Sequence, residues 1–289
     1  MKRHYFLIFK LVTTLVFGCS YGATAATTKP AIGTTSTSKV TVTNDFLVTN
    51  HGVVNDSSLL QTAALQRVID KAERAGGGNV IIPKGTFLSG ALFFKPGTHL
   101  KLEAGAVLKG SNDITHYPLI PSRMEGLRLY YYAALINAYK VDNFSITGPG
   151  LINGNGERYW SYFWAYRDSM RKIGQTATNL EVARPRLVFL WDCDHVHIKE
   201  VKLWNAGFWT THLYECNDAL IEGCDIRSPN KPVAAPSTDG IDLDVCKRVI
   251  IRNCYIAVND DAIVMKGGKG PLAHKDPANG SVENILIEG

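Results

Sequence analysis

Apolar residues recur along the second half of the chain in short alternating bursts that fall on one template. Cys193, Val196 and Ile198 take its first, fourth and sixth positions, as do Cys216, Ala219 and Ile221, and then Cys246, Val249 and Ile251. Val141, Phe144 and Ile146 match it upstream, and Val282, Ile285 and Ile287 downstream. Eight residues after the first position come Val201, Cys224 and Cys254. The copies are 52, 23, 30 and 36 residues apart, so register is kept while loops of unequal length are inserted. Turn formers (Asn143, Asp194, Asn217, Asp218, Asn284) punctuate the copies. Alternation over so few residues predicts short half-buried strands. One unit that cannot bury its own apolar face, repeated, predicts a solenoid whose stacking at ~4.8 Å per rung supplies the core. The expected fold is all-β, a right-handed single-stranded parallel β-helix with its inserts at one corner.

A solenoid needs its ends covered. Asp56-Ser57-Ser58 followed by Leu59–Ala75 predicts an N-terminal capping helix, with Ser58 and Gln61 as a capping box and Leu60, Ala64, Leu65, Val68 and Ile69 as its apolar stripe. Gly76-Gly77-Gly78 ends it, and strands are expected at Val80–Ile82, Phe87–Phe94 and His99–Leu102. The last copy starts at Val282 and the chain stops at Gly289, one residue before the position matching Cys224 and Cys254. The β-helix domain is therefore read as residues 44–289, incomplete at its C-terminal end, in the manner of a truncated chain or gene fragment.

The first 25 residues carry a different signal. Lys2 and Arg3 precede an apolar run, and Ala23-Thr24-Ala25 is a small-x-small cleavage site, the pattern of a secretory signal peptide. Cys19 as a lipid-bearing residue is the variant reading. Residues 26–43, rich in Thr, Ser and Ala, read as a flexible leader. The expected location is secreted or periplasmic. Without residues 1–25 the formal charge falls from +5 to +2, so the apparent basicity belongs to the targeting segment and implies no nucleic-acid partner. A monomer is expected. The remaining cysteines, Cys193, Cys216, Cys224, Cys246 and Cys254, are odd in number and occupy template positions, so they are read as buried free thiols rather than disulfides.

The chemistry lies in Ser237-Thr238-Asp239-Gly240 and Asn259-Asp260-Asp261. Registering coils on Cys216 and Cys246 places Asp239 one rung from Trp209, and the matching patterns place Asp239 beside Asp261 and Thr238 beside Asp260. Like charges so close shift each other's protonation, giving one acid and one base, which is what glycoside hydrolysis requires. Turn-forming Asp and Asn would explain any one of them, but not a like-charged column.

These motifs resemble the Asn-Thr-Asp-Gly and Gly/Gln-Asp-Asp motifs of family 28 glycoside hydrolases, the polygalacturonases and related pectin-degrading enzymes. The resemblance implies hydrolysis of α-1,4-linked galacturonic acid with inversion, Asp260 as general acid, Asp239 and Asp261 holding and activating water, and no metal or organic cofactor. Ser237 and Asn259 depart from the usual motif residues. The family's Gly-His-Gly and Arg-x-Lys, the latter gripping the substrate carboxylate, do not occur before Gly289.

A pectic polysaccharide is polyanionic, so cations and polar groups near the carboxylates are candidate substrate contacts: Lys266, His212 with its register partner Asp242, and Arg186. Lys266 is equally readable as a solvated lysine and His212 as a structural histidine. The aromatic, basic insert Glu157–Lys172 either walls one end of the cleft, favouring action at chain ends, or packs on the solenoid exterior. Two other functions stand beside the hydrolase. A pectate lyase would need Ca²⁺ and a basic residue beside the carboxylates, which the expected rungs lack. A carbohydrate-binding solenoid would need neither.

Overall fold

The computed structural model describes residues 44–289. The signal peptide, the leader and Cys19 lie outside the described residues. Three parallel sheets run the length of a right-handed β-helix. Sheet A has eight strands: Asp45–Leu47, Gly78–Ile82, Thr98–Leu102, Ser145–Thr147, His197–Lys199, Leu220–Glu222, Lys247–Arg252 and Glu283–Glu288. Sheet B has six, from Gly85–Ser89 through Lys202–Trp204 and Asp225–Arg227 to Tyr255–Ala257. Sheet C has six: Leu92–Phe94, Ile136–Tyr139, Val188–Trp191, Thr211–Tyr214, Ile241–Asp244 and Ile263–Lys266.

The repeat read from the cysteines is the register of the coils. Ile198 pairs with Ile221, Ile221 with Ile251, and Ile251 with Ile287, the first three inside the core and Ile287 half-exposed on the last coil. The five cysteines are free, four of them buried and Cys254 half-buried. Their thiols donate to backbone carbonyls, Cys246 Sγ to Leu213 O at 3.3 Å for example. The corner entering sheet A repeats a left-handed residue in every copy, at Asn143, His195, Asp218, Arg248 and Asn284. Such a conformation costs a non-glycine residue energy that stacking must offset.

The expected strand Phe87–Phe94 is two strands, because the chain turns the B-to-C corner at Gly90, where a Cβ would lie 2.3 Å from His116 O. The capping helix α1 runs over Thr62–Arg74 and buries Leu65, Val68, Ile69 and Ala72 on the first coil. Its capping box is not formed. Gln61 turns its amide to the backbone of Val54, accepting at 2.7 Å and donating at 2.7 Å, while Ser58 bonds Asp56. Leu60 leaves the stripe to form a bridge with Leu88.

Inserts leave the coils at two corners rather than one. Residues 267–282 leave from C to A, but the two largest leave from B to C. The first carries an antiparallel hairpin, Leu119–Met124 and Leu127–Tyr132, joined at Glu125-Gly126 with φ of 51° and 79°. Positive φ at both positions is the twist-matched two-residue turn. The second insert holds a helix, α2, over Glu157–Lys172.

Candidate active site

The carboxylates sit at that same B-to-C corner. Gly240 N–H donates to Asp261 O and Ile241 N–H to Ala262 O, which sets Asp239 beside Asp261 on the next rung. One carboxylate oxygen from each of Asp239, Asp260 and Asp261 lies within 4.8 Å of the others. Asp239 is 3% exposed, whereas Asp260 and Asp261 are open to solvent. Asp260 Oδ1 accepts the Asp261 N–H at 3.1 Å. Burial pushes the Asp239 carboxyl up to about 6, with Lys266 pulling it down and Asp260 adding to the rise. Backbone ties fix the corner: Ser228 Oγ bonds Thr238 Oγ1 at 2.7 Å, and Asn259 donates its side-chain amide to Pro229 O. Asn259, one of the two departures from the motif, is thus tied in place, and Ser237, the other, is buried.

Lys266 is not a solvated lysine. Its Nζ lies 3.1 Å from Asp242 Oδ1 and 3.5 Å from Asp239 Oδ2, and 4.3 Å above the Trp209 ring. This corrects the expectation that no basic residue borders the carboxylates. Burial lowers its pKa, but Asp242 and Asp239 outweigh that and hold it above the ordinary lysine value. A lysine held charged is a poor base for β-elimination.

His212, Asp242 and Arg186 are found beneath the site instead of facing a cleft: all three are buried, with exposures of 0%, 0% and 1%. As substrate contacts they are therefore corrected: His212 and Asp242 lie on sheet C itself, shut off from solvent, and the hairpin packs over Arg186. His212 pairs in register with Asp242, as expected. The Arg186 guanidinium lies 2.6 Å from His212 Nδ1 and bonds Ser122 Oγ of the hairpin. Burial, with Arg186 adding to it, pushes His212 down to about 4, against the pull of Asp244. Its neutral ring presents Nε2 to Asp244 Oδ2 at 3.6 Å.

Several contributors went unassigned in the sequence. Trp209 floors the pocket under Lys266, and its signal was its place seven residues before Cys216, in the Asp239 column. Arg184 lies buried between the Phe163 and Phe208 rings, 4.3 and 4.4 Å from their centres, and donates to Pro236 O just before the Asp239 motif. Phe163 comes from α2, whose Trp164 also bonds Ala234 O at 2.8 Å. The insert Glu157–Lys172 is thus a helix packed against the loop that carries Asp239. The hairpin closes the other flank, with Met124 and Tyr131 against Phe208 and Trp209. No helix among the described residues is long and apolar enough to cross a membrane.

Residues 75–285 match the profile of Glycosyl hydrolases family 28. A probable polygalacturonase of Vitis vinifera is 30% identical over 226 residues, 75% of this chain and 43% of that protein. An exo-poly-alpha-D-galacturonosidase of Dickeya chrysanthemi is 26% identical over 312 residues, 91% of this chain and 50% of that one. Among solved structures, a hyperthermoactive exopolygalacturonase from Thermotoga maritima superposes with a TM-score of 0.70 at 24% identity, over 85% of this chain and 60% of that one, which supports the right-handed parallel β-helix. The chain spans about half the length of the curated relatives it matches. With its fold, its motif carboxylates on adjacent rungs and this match over most of its length, the chain belongs to glycosyl hydrolase family 28.

Proposed function

We propose that this site hydrolyses α-1,4-linked galacturonic acid units of a pectic polysaccharide outside the cytoplasm. The observation that carries the reading is the gathering of Asp239, Asp260 and Asp261 within 4.8 Å at the corner where the inserts leave the helix. Asp260, exposed at the lip, protonates the leaving oxygen. Asp239 and Asp261, stacked on adjacent rungs, hold the attacking water and take its proton. Asp239, with its pKa about 6, is mostly ionised at neutral pH and suits the role of base. Lys266 supplies the cation that an acidic sugar calls for, and the buried Trp209 ring beneath holds it in place. The hairpin and α2, standing on either flank, favour release of short products from a chain end.

The stereochemical course divides two readings. The resemblance to the family implies inversion, for which acid and base usually stand ~6.5–9.5 Å apart with water between, whereas retaining pairs stand at ~5–5.5 Å. The closest oxygens here lie within 4.8 Å, which by itself favours retention. Inversion, the course that the resemblance to the family implies, is the reading adopted. The anomer of the first product, followed by proton NMR, decides between them.

The test of the function is reducing-end release from polygalacturonate without calcium, by this chain and by Asp260→Asn. Release that falls ~10²–10⁴-fold in the variant supports the assignment. Equal release by Asp260→Asn, or unsaturated products that require calcium, would overturn it. Tight binding of polygalacturonate with no turnover would make the solenoid a carbohydrate-binding module.

A further inference from the structure

Below the three carboxylates lies a fourth that the proposed reaction does not use. Asp242 is wholly buried, three residues after Asp239 on the same run of chain, and its side chain faces that of Asp239. Among the described residues, neither Asp239 Oδ1 nor either oxygen of Asp242 has a hydrogen-bond donor, although all three atoms are shut off from solvent. Among the described residues, the cation that reaches both is Lys266, 3.1 Å from Asp242 Oδ1 and 3.5 Å from Asp239 Oδ2. Two acceptors that face each other in a dry site lack a proton.

We propose that Asp242 is a positioning residue, held as the neutral acid, whose O–H donates to Asp239 and with Lys266 fixes the Asp239 carboxylate toward the attacking water. The assignment rests on the hydrolase reading above only for its consequence in catalysis. Its charge balance follows from the surroundings. Lys266 neutralises one carboxylate and cannot neutralise two, and Arg184 and Arg186, which act on Asp239 and Asp242 through space, form no ion pair with either. On the neighbouring strand His212 is neutral, and beyond it Arg186 stands on His212 Nδ1 and Ser122 Oγ. Asp244, two residues on, is already paired with Arg123. Of the two carboxyls sharing Lys266, Asp242 is the deeper and keeps the proton, while Asp239, nearer the pocket, ionises. Burial and the facing Asp239 push Asp242 well above the usual carboxylate range, in the same direction.

The arrangement separates two properties that one aspartate could not combine. Asp239 must be ionised to act as base, and its carboxylate must keep one orientation. A neutral donor below it restrains the carboxylate without adding a second negative charge to the site.

The test uses Asp242→Asn, which keeps a neutral donor of the same shape, and Asp242→Ala, which removes it. Infrared spectra of the whole chain at pH 8, where Asp239 is ionised, should show a protonated carboxyl C=O band that disappears in Asp242→Asn. The acid limb of kcat/KM should stay in place in Asp242→Asn, with kcat within about threefold, while Asp242→Ala loses tenfold or more in kcat with little change in KM. A spectrum at pH 8 without that band overturns the proposal. So does an acid limb shifted down by a unit or more in Asp242→Asn, the result expected if an ionised neighbour had been removed. The band is read without substrate, so a chain that hydrolyses nothing but shows it refutes the hydrolase reading and leaves the shared proton standing.

Discussion

Arg123 and Asp244 form an ion pair from which solvent is wholly excluded, Nε to Oδ2 at 2.9 Å and Nη2 to Oδ1 at 3.1 Å. The two residues are 121 positions apart in the chain, and the pair fastens the hairpin to the strand that follows Asp239. Desolvating both charges costs about what their attraction returns, so the pair adds little net stability, but either partner left alone is a buried charge. Arg123→Ala and Asp244→Ala should each destabilise the chain by about 3–5 kcal/mol in urea unfolding. Arg123→Met combined with Asp244→Leu should recover most of that loss. Additive losses in the double variant would show that the two side chains act separately.

The Asp239 carboxyl, pushed up to about 6 chiefly by burial, carries a prediction in each direction of pH. As base it works only when ionised, so kcat/KM should fall tenfold per unit as pH drops below about 6. For stability the sign is opposite. A raised carboxylate pKa favours the folded state at low pH, and that contribution is lost as pH rises from the unfolded value of 3.8 through 6. Asp239→Asn should therefore be inactive yet more stable than the parent at pH 7.5, by at most ~3 kcal/mol, with the difference vanishing near pH 3.5. Equal stability at both pH values would mean that Asp239 carries no burial cost.

Much of this was legible in the sequence because a solenoid writes its register into the chain. Cys193, Cys216 and Cys246 share a position in successive coils, and counting from them places His212 beside Asp242, while the matched patterns around Ser237–Ile241 and Asn259–Ile263 place Asp239 beside Asp261. What the register does not encode is where inserts go once they leave the coil. The α2 sequence mixes arginines with aromatics, of which only Tyr159, Trp160 and Phe163 are buried, so its apolar face is weakly marked. In the hairpin, Arg123 reads as a surface cation until Asp244 is known to lie below it. Burial of Arg186 escaped notice for the same reason, since nothing in the chain marks that the hairpin packs over it, whereas His212 is already readable as a structural histidine.

Phe163 tests the flank built by α2. Its ring is 2% exposed and meets the Arg184 guanidinium at 4.3 Å. Phe163→Ala should cost about 3–5 kcal/mol, more than the cavity of an aliphatic truncation, because it also uncovers a buried cation with no carboxylate partner. Phe163→Leu, which keeps the volume but not the aromatic face, should lie between the two by thermal unfolding. If Phe163→Leu matched the parent, the cation–aromatic contact would be without energetic weight.

The cysteine columns yield a labelling experiment. Cys193, Cys216, Cys224 and Cys246 are buried and Cys254 is half-buried, all with free thiols. Burial raises the Cys216 and Cys246 thiols, Cys246 to about 12, which keeps them protonated and unreactive as well as inaccessible. In a Cys19→Ser background, a thiol reagent should modify Cys254 within minutes in the native chain and the other four only on unfolding, read by intact mass. Cys246 shares its column with Val141 and Val282, so Cys246→Val should cost less than about 1.5 kcal/mol, whereas Cys246→Asp, placing a charge in the core, should prevent folding. A native chain that takes up no label even when unfolded, and does so only after reduction, would show that these thiols pair after all.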